Sequence, residues 1–427
     1  MLVLTTDDQP PLHDPEMSRW LCVGNGGGLV AKDHAWLTGL MAEPPEWLSQ
    51  ELRQFDPEGD ALVIGTPYVG LAAFAGRPIL NHRRPSWVEL ENKTTIDALW
   101  DELETPRAPA IVLDPDLDAL GRASALLDRG AGVVWSGDGP SINGGANYVR
   151  RVRTAEDAAR AFAALSQHCE QIRVMPFLEG IPVSVHGIVL PDGTAALRPI
   201  EMIVPRRSGT ARFLYAGCAS FYDPPAWIRE HMRELARRVG EHLRATVGYR
   251  GTFTLDGIAT ADGFLPTEIN TRYGGAMGCL EDALPELPLA LLQAALVAGH
   301  DVGVPAERFE EVLVAAADLR RSGLIGANVR ALRQEEAIQA GVVFADWTCR
   351  WAQEGEIPHG QLKLRPYPVG GRLELELAEG AVAPGASVTA LTVAAFALAD
   401  RDWHTGFGPL DPARPIDDRP AEEVGIA

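Results

Sequence analysis

Residues 248–278 read GYRGTFTLDGIATADGFLPTEINTRYGGAMG. Two strand-like runs, 251–258 and 263–270, flank a turn at 260–263, which is the pattern of a hairpin. Asp256 lies on the first run. Glu268 and Asn270 lie two apart on the second, so their side chains share one face. The hairpin can therefore gather two carboxylates and an amide oxygen. These are hard ligands of the kind Mg²⁺ takes while it bridges nucleotide phosphates. Arg272 continues the two-residue rhythm and places a guanidinium beside them. The plain alternative is a hairpin with solvated acids on its outer face. The otherwise apolar strands, and the Arg and Gly274–Gly275 that follow, weigh against it.

Working outward, residues 225–246 form the clearest helix. Two prolines precede it, and Ile228, Met232, Leu235, Val239 and Leu243 share one face. Residues 172–205 alternate as strands around turns at Glu179–Gly180 and Asp192–Gly193. A middle unit starts near Glu91. Thr94 or Thr95 can cap a helix carrying Ile96, Leu99, Trp100 and Leu103. Strand-like 110–113, helix-like 117–129 and strand-like 132–135 follow. Next come the small-residue segment 136–147 (SGDGPSINGGAN) and strand-like 148–152, a hairpin whose tip can fold over a ligand.

Residues 1–90 read as a small α/β unit. Apolar segments at 20–24 and 61–65 look like buried strands of a parallel sheet, each running into a Gly-rich turn, GNGGG at 24–28 and GTPYVG at 65–70. The first turn invites a dinucleotide reading but lacks the full spacing of that fingerprint. A tight strand-to-helix turn is the preferred reading, with a substrate role at the strand ends left open. From about residue 300 a third region begins. Its run 372–377 (RLELEL) alternates cleanly, 388–399 reads as a further strand, and the tail after 409 reads as extended. The expected organisation is three units: 1–90, 91–300 and 301–427.

The chain has 427 residues, a formal net charge of −20 and no clustered basic run, which argues against nucleic acid or an anionic membrane surface as partner. No apolar stretch reaches membrane-spanning length, and the N-terminus has no secretory pattern. Five dispersed cysteines without a CxxC pair fit reduced thiols in a cytoplasm better than a disulfide or zinc framework. Only three of the 38 basic residues are lysines, Lys32, Lys93 and Lys363, so few side chains can serve where chemistry asks for an ammonium.

Over roughly residues 91–300 the chain resembles the ATP-grasp superfamily, through Asp256 and Glu268-Ile269-Asn270-Thr271-Arg272. The form of the motif is closest to amino-acid and peptide ligases that carry a preceding α/β domain. The resemblance implies an ATP-grasp fold, α/β and in parts α+β, with an N-terminal parallel α/β domain and a small C-terminal mixed domain. It implies ATP and Mg²⁺ as cofactors, with Asp256, Glu268 and Asn270 on the metal and Arg272 on phosphate or the reacting carboxylate. Lys93, in ENKTT, resembles the lysine that opens the nucleotide-binding part and contacts phosphates. Residues 141–147, with Gly144 and Gly145, resemble the mobile Gly-rich loop that covers the phosphates through backbone N–H groups. MPFL at 175–178, before Glu179–Gly180, resembles the interdomain hinge, with the Met175 C=O and Leu178 N–H facing adenine.

Three positions depart from that pattern. Ser136 stands at or near a usual lysine. Pro182 stands at a usual ribose-binding Glu, for which Glu179 can substitute. Thr254 stands where D-alanine ligases carry an oxyanion-stabilising Arg. Arg206, Arg207 or Arg212 could supply the missing charge. The activity implied is ligation of a small carboxylate to an amine, amino acids or a short peptide, through an acyl phosphate. The resemblance also allows a homodimer. Competing readings are an oxidoreductase using the Gly24–Gly28 loop, a non-catalytic relative, and a biotin-dependent carboxylase, for which no carrier segment is present.

Overall fold

The computed structural model describes residues 2–5, 19–24, 30–139, 145–332, 334–345, 347–367 and 370–414. Helices and strands are mixed throughout, as expected for an α/β chain. At its centre lies the hairpin of Gly251–Thr260 and Gly263–Asn270, with Asp256 opposite Glu268 and Thr254 opposite Asn270. The strand Ile181–Val189 pairs on the other side of Gly251–Thr260. It sets Ser184 opposite Asp256 and His186 opposite Thr254. From there the sheet continues without a break through Ile200–Met202 and Gly217–Ala219 into Gly323–Val329 and the strands 338–377. The third region thus shares its sheet with the second.

One face of the three central strands is apolar. Val183, Val185, Phe253, Leu255 and Ile269 pack against the helix Ala226–Val247, whose Ile228, Met232, Leu235, Val239 and Leu243 are buried. The helix ends at Gly248, which adopts the left-handed conformation (φ 60°) that glycine accepts readily, and the chain then enters the hairpin. The opposite face carries Ser184, His186, Thr254, Asp256, Glu268 and Asn270, as the period of two requires. A four-stranded antiparallel sheet, ordered Ile111–Leu113, Ile172–Pro176, Val133–Gly137, Val149–Val152, contributes a second wall facing this row.

Three expectations need correction. Residues 388–399 are not a strand: Thr389–Trp403 is a helix. The buried Glu201 carboxylate accepts the Val388 N–H (2.9 Å) and the Ser387 and Thr389 hydroxyls (2.5 and 2.6 Å), which satisfies the start of the helix. Its apolar positions fill a core with Leu373 and Leu375, and this packing outweighs the β-branched run. Residues 61–65 are not a buried strand. Val63 makes a single parallel bridge to Ile79, while Leu62 and Ile64 are exposed. Neither Thr94 nor Thr95 caps the helix Asp97–Glu102; Asn92 Oδ1 takes the Thr94 N–H instead (2.8 Å). In the N-terminal unit, Leu2–Thr5 and Arg19–Cys22 pair in parallel ahead of the helix Val30–Ala42. Residues 25–28 of the Gly run lie outside the described residues.

Candidate active site

A cavity of about 410 Å³ opens between the two sheets, and its lining includes Lys93, Asp256, Glu268, Asn270 and Arg272 together. The Lys93 ammonium pairs with Glu268, and its backbone N–H is taken by the Asp138 carboxylate. Asn270 Nδ2 donates to Asp256 Oδ2 at 2.9 Å, and Arg272 Nη2 donates to Asn270 Oδ1 at 2.7 Å. Burial, then the neighbouring Glu268 charge, pushes the Asp256 carboxyl well above the usual carboxylate range. Burial works the same way on Glu268, but the Lys93 cation overcomes it and holds that carboxyl low. Lys93 and Arg272 thus favour the ionised form of Glu268 more than that of Asp256, and a further positive charge at the pair would favour both.

A divalent cation would supply that charge. The donor set fits Mg²⁺: two carboxylates side by side across a strand pair, with an amide oxygen next along. Among the described residues no group of three or more His, Cys, Asp or Glu is placed to hold a metal. The set is thus the two acids and the amide, and it does not resemble a zinc cage. Glu268 would exchange the Lys93 ammonium for the cation, which leaves that ammonium free for a phosphate.

Arg272 is held from several sides. Its guanidinium lies 4.7 Å from the Tyr68 ring centroid. Glu91 stands 3.7 Å from its Nε, accepts the Thr271 N–H at 2.7 Å and pairs with Arg83 at 2.5 Å. Arg83 and Tyr68 come from the N-terminal unit, Tyr68 from the Gly-rich turn at 65–70. That unit therefore helps to position the reacting end.

At the other end, Val134, Met175, Phe177 and Ile258 give the cavity apolar walls suited to a base. Leu178 N–H donates to no backbone carbonyl among the described residues. Met175 is different. The Phe177 N–H donates to Gly132 O at 2.9 Å, and hydrogen-bonded pairs alternate along an antiparallel ladder, so Met175 gives its backbone to its register partner Val134. Its contribution is the wall and not the carbonyl. Glu179 faces Arg206 (3.5 Å) and Arg151 (3.8 Å), whose guanidinium lies 3.6 Å from the Phe177 ring centroid.

Ser136 lines the cavity without a lysine, but its register partner is Arg173, a buried guanidinium that also lines it. Asp97 binds Arg173 through both oxygens, at 2.7 and 2.8 Å. The sequence reading passed over Arg173. The only signal was a lone Arg in an apolar strand. Arg206 lines the cavity at the Glu179 end, away from the metal row, and Arg207 turns to the Phe407 carbonyl (2.9 Å). The structure does not bring either to the reacting end where an oxyanion would form. Gly145 lines the cavity, and Gly144 lies outside the described residues.

No protein-family model and no curated protein sequence matches the chain. Solved structures similar to it include an ADP complex of N5-carboxyaminoimidazole ribonucleotide synthetase (12% identity, 94% of this chain and 90% of that one, TM-score 0.48). The biotin carboxylase domain of Hydrogenobacter thermophilus 2-oxoglutarate carboxylase is another (14%, 71% and 65%, TM-score 0.46). A third is the D-alanine-D-alanine ligase from Coxiella burnetii (14%, 52% and 60%, TM-score 0.37). The chain thus spans less than two thirds of the length of the last two. At these identities and scores the likenesses decide neither substrate nor chemistry.

Proposed function

We propose that this chain is an ATP- and Mg²⁺-dependent ligase of the ATP-grasp type, joining a small carboxylate to an amine through an acyl phosphate. The observation that supports it is the meeting of Lys93, Asp256, Glu268, Asn270 and Arg272 in one cavity with an apolar slot at its far end. Two partly buried carboxylates side by side are costly unless a cation lies between them, and an ammonium and a guanidinium beside them suit phosphate oxygens.

ATP supplies the phosphoryl group and Mg²⁺ the charge that offsets its oxygens. This chain's residues do the positioning on which such transfer mainly depends. Asp256, Glu268 and Asn270 would hold the metal, and Lys93 would pass from Glu268 to a phosphate oxygen. Arg272, braced by Tyr68 and Glu91, would set the donor carboxylate in line. The walls of the two sheets would limit the water that could hydrolyse the activated acid. No protein nucleophile is required. Amino acids or a short peptide are the substrates proposed. Five free thiols suit a cytoplasmic setting, and no helix among the described residues is long and apolar enough to cross a membrane.

The test is a screen of amino acids and small acids for ADP release, with mass analysis of the product, run beside Glu268→Gln and Asn270→Ala. Amide formation lost in both variants, with the circular dichroism spectrum kept, is expected. Unchanged product in both would overturn the assignment.

A further inference from the structure

Beyond Asp256 the cavity ends in a group of polar side chains that the chemistry above does not use. His186 is fully buried, and neither ring nitrogen has a hydrogen-bond partner. The hydroxyls of Ser184 and Thr254, buried to within 1% and 5% of full burial, have none either. All three line the same cavity as the metal row. Each unpaired buried polar group costs about 1–3 kcal/mol, so three together, where Val or Leu would fit a strand, mark a place that a ligand completes.

Their position says which ligand. Ser184 stands opposite Asp256, and Thr254 lies between His186 and Asn270 in register. Adjacent strands are about 4.8 Å apart, so His186 sits roughly 10 Å from Asn270, the span of two small reacting groups. The loop that follows Arg272 closes on the same point: a Cβ on Gly274 would stand 2.8 Å from Thr254 Oγ1 and 3.6 Å from His186 Nε2. Whatever binds there is next to the donor that Arg272 orients. The three groups are uncharged, since burial alone holds His186 neutral down to about pH 4. Of the ionisable side chains beside them, Asp256, opposite Ser184, and Arg272 are both hydrogen-bonded to Asn270.

We propose that Ser184, His186 and Thr254 form the subsite of the attacking nucleophile and take a primary amine in its uncharged form, with a His186 ring nitrogen and the Thr254 hydroxyl accepting its two N–H groups and the Ser184 hydroxyl left for a polar atom of the amine's own substituent. The inference rests on the ligase reading. A neutral pocket favours the free base because burial penalises the ammonium, and only the free base has the lone pair that attacks. The C–N bond then forms and the C–O bond to phosphate breaks. The amine's second proton leaves on phosphate oxygen as hydrogen phosphate, so charge balances. His186 acts as a positioning residue.

The experiment follows the histidine ring ¹⁵N signals of the full chain, loaded with Mg²⁺ and a non-hydrolysable ATP analogue. The probe is hydroxylamine, a primary amine that is mostly neutral at pH 7. The His186 signal is identified by its loss in His186→Gln or, should that variant not fold, by its staying neutral to about pH 4. It should move saturably with hydroxylamine and stay still with methylammonium at the same concentration. Thr254→Val should weaken the apparent affinity about five- to tenfold. A His186 signal that ignores hydroxylamine, follows methylammonium equally, or gives the same affinity in Thr254→Val overturns the proposal. Failure of the ATP analogue itself to bind is a different result, and it removes the ligase reading together with this one.

Discussion

The three central strands have two faces that meet opposite demands. On the helix side, Phe253, Leu255 and Val185 bury completely against Ala226–Val247. On the cavity side, one residue along in each case, lie a carboxylate pair short of positive charge, an arginine held by three neighbours, and three polar groups with nothing to bond. Ser184, His186 and Thr254 are buried about as deeply as the helix side, while Asp256, Glu268 and Asn270 are partly exposed, so burial alone does not separate the faces. The helix face gains stability from each side chain, whereas the cavity face gives some up and becomes satisfied only around ligands.

This contrast breaks most sharply at Phe253, whose ring covers Gly187 so closely that a Cβ there would lie 2.4 Å from it. Phe253→Ala should cost about 3–5 kcal/mol by denaturant unfolding. A loss under 1 kcal/mol would mean that the helix face is not the stabilising one.

On the cavity face the largest effects should be kinetic. Arg272→Lys keeps the charge but loses the planar fork. If Arg272 aims the carboxylate, kcat should fall about a hundredfold with ATP affinity nearly unchanged. A near-normal kcat removes the orienting role. Lys93→Ala should weaken Mg²⁺–ATP binding by about one to two decades, the worth of a charge-assisted contact. Lys363, which pairs with Glu376 on the exposed side of a far strand, serves as the control. Equal calorimetric dissociation constants for the two variants would take Lys93 out of the site.

Two smaller effects sharpen the comparison. His186 is held near pH 4 when folded and returns to about 6.5 when unfolded, so the unfolded chain binds more protons between those values. Stability should therefore fall as pH drops through that window, by about 1.4 kcal/mol per pH unit. His186→Gln should flatten this part of the profile, and an unchanged slope would show that the imidazole is not buried neutral. Thr254→Val, which removes an unpartnered hydroxyl, should be neutral or stabilising by up to about 1 kcal/mol, the reverse of the Phe253 result. A clear loss in thermal midpoint would show that the hydroxyl is structurally bonded.

Much of this was legible in the sequence because it is local. The D…EIN-x-R pattern and the turn between its runs place Asp256, Glu268 and Asn270 on one face through the period of two alone. The five apolar positions of 226–247 mark a helix in the same way. The scarcity of lysine made Lys93 a candidate before any geometry. Reading failed where a neighbour distant in sequence decided. The 388–399 run has strand-forming residues, yet it is a helix because Glu201 satisfies its first turn. The 61–65 run is apolar, yet among the described residues Leu62 and Ile64 stay exposed.

The sequence by itself determined the hairpin, its metal-type oxygen set and the amphipathic helix behind it, since each follows from spacing along one segment. Tertiary structure alone decided that Arg206 lies at the Glu179 end of the cavity, that Arg207 turns to the Phe407 carbonyl and that Arg173 stands beside Ser136. It also decided that His186, an ordinary strand residue by pattern, faces the cavity beside Thr254. The last two relations depend on strand register across 37 and 68 positions of sequence separation, and register is set by the packing of whole faces, which no short stretch encodes.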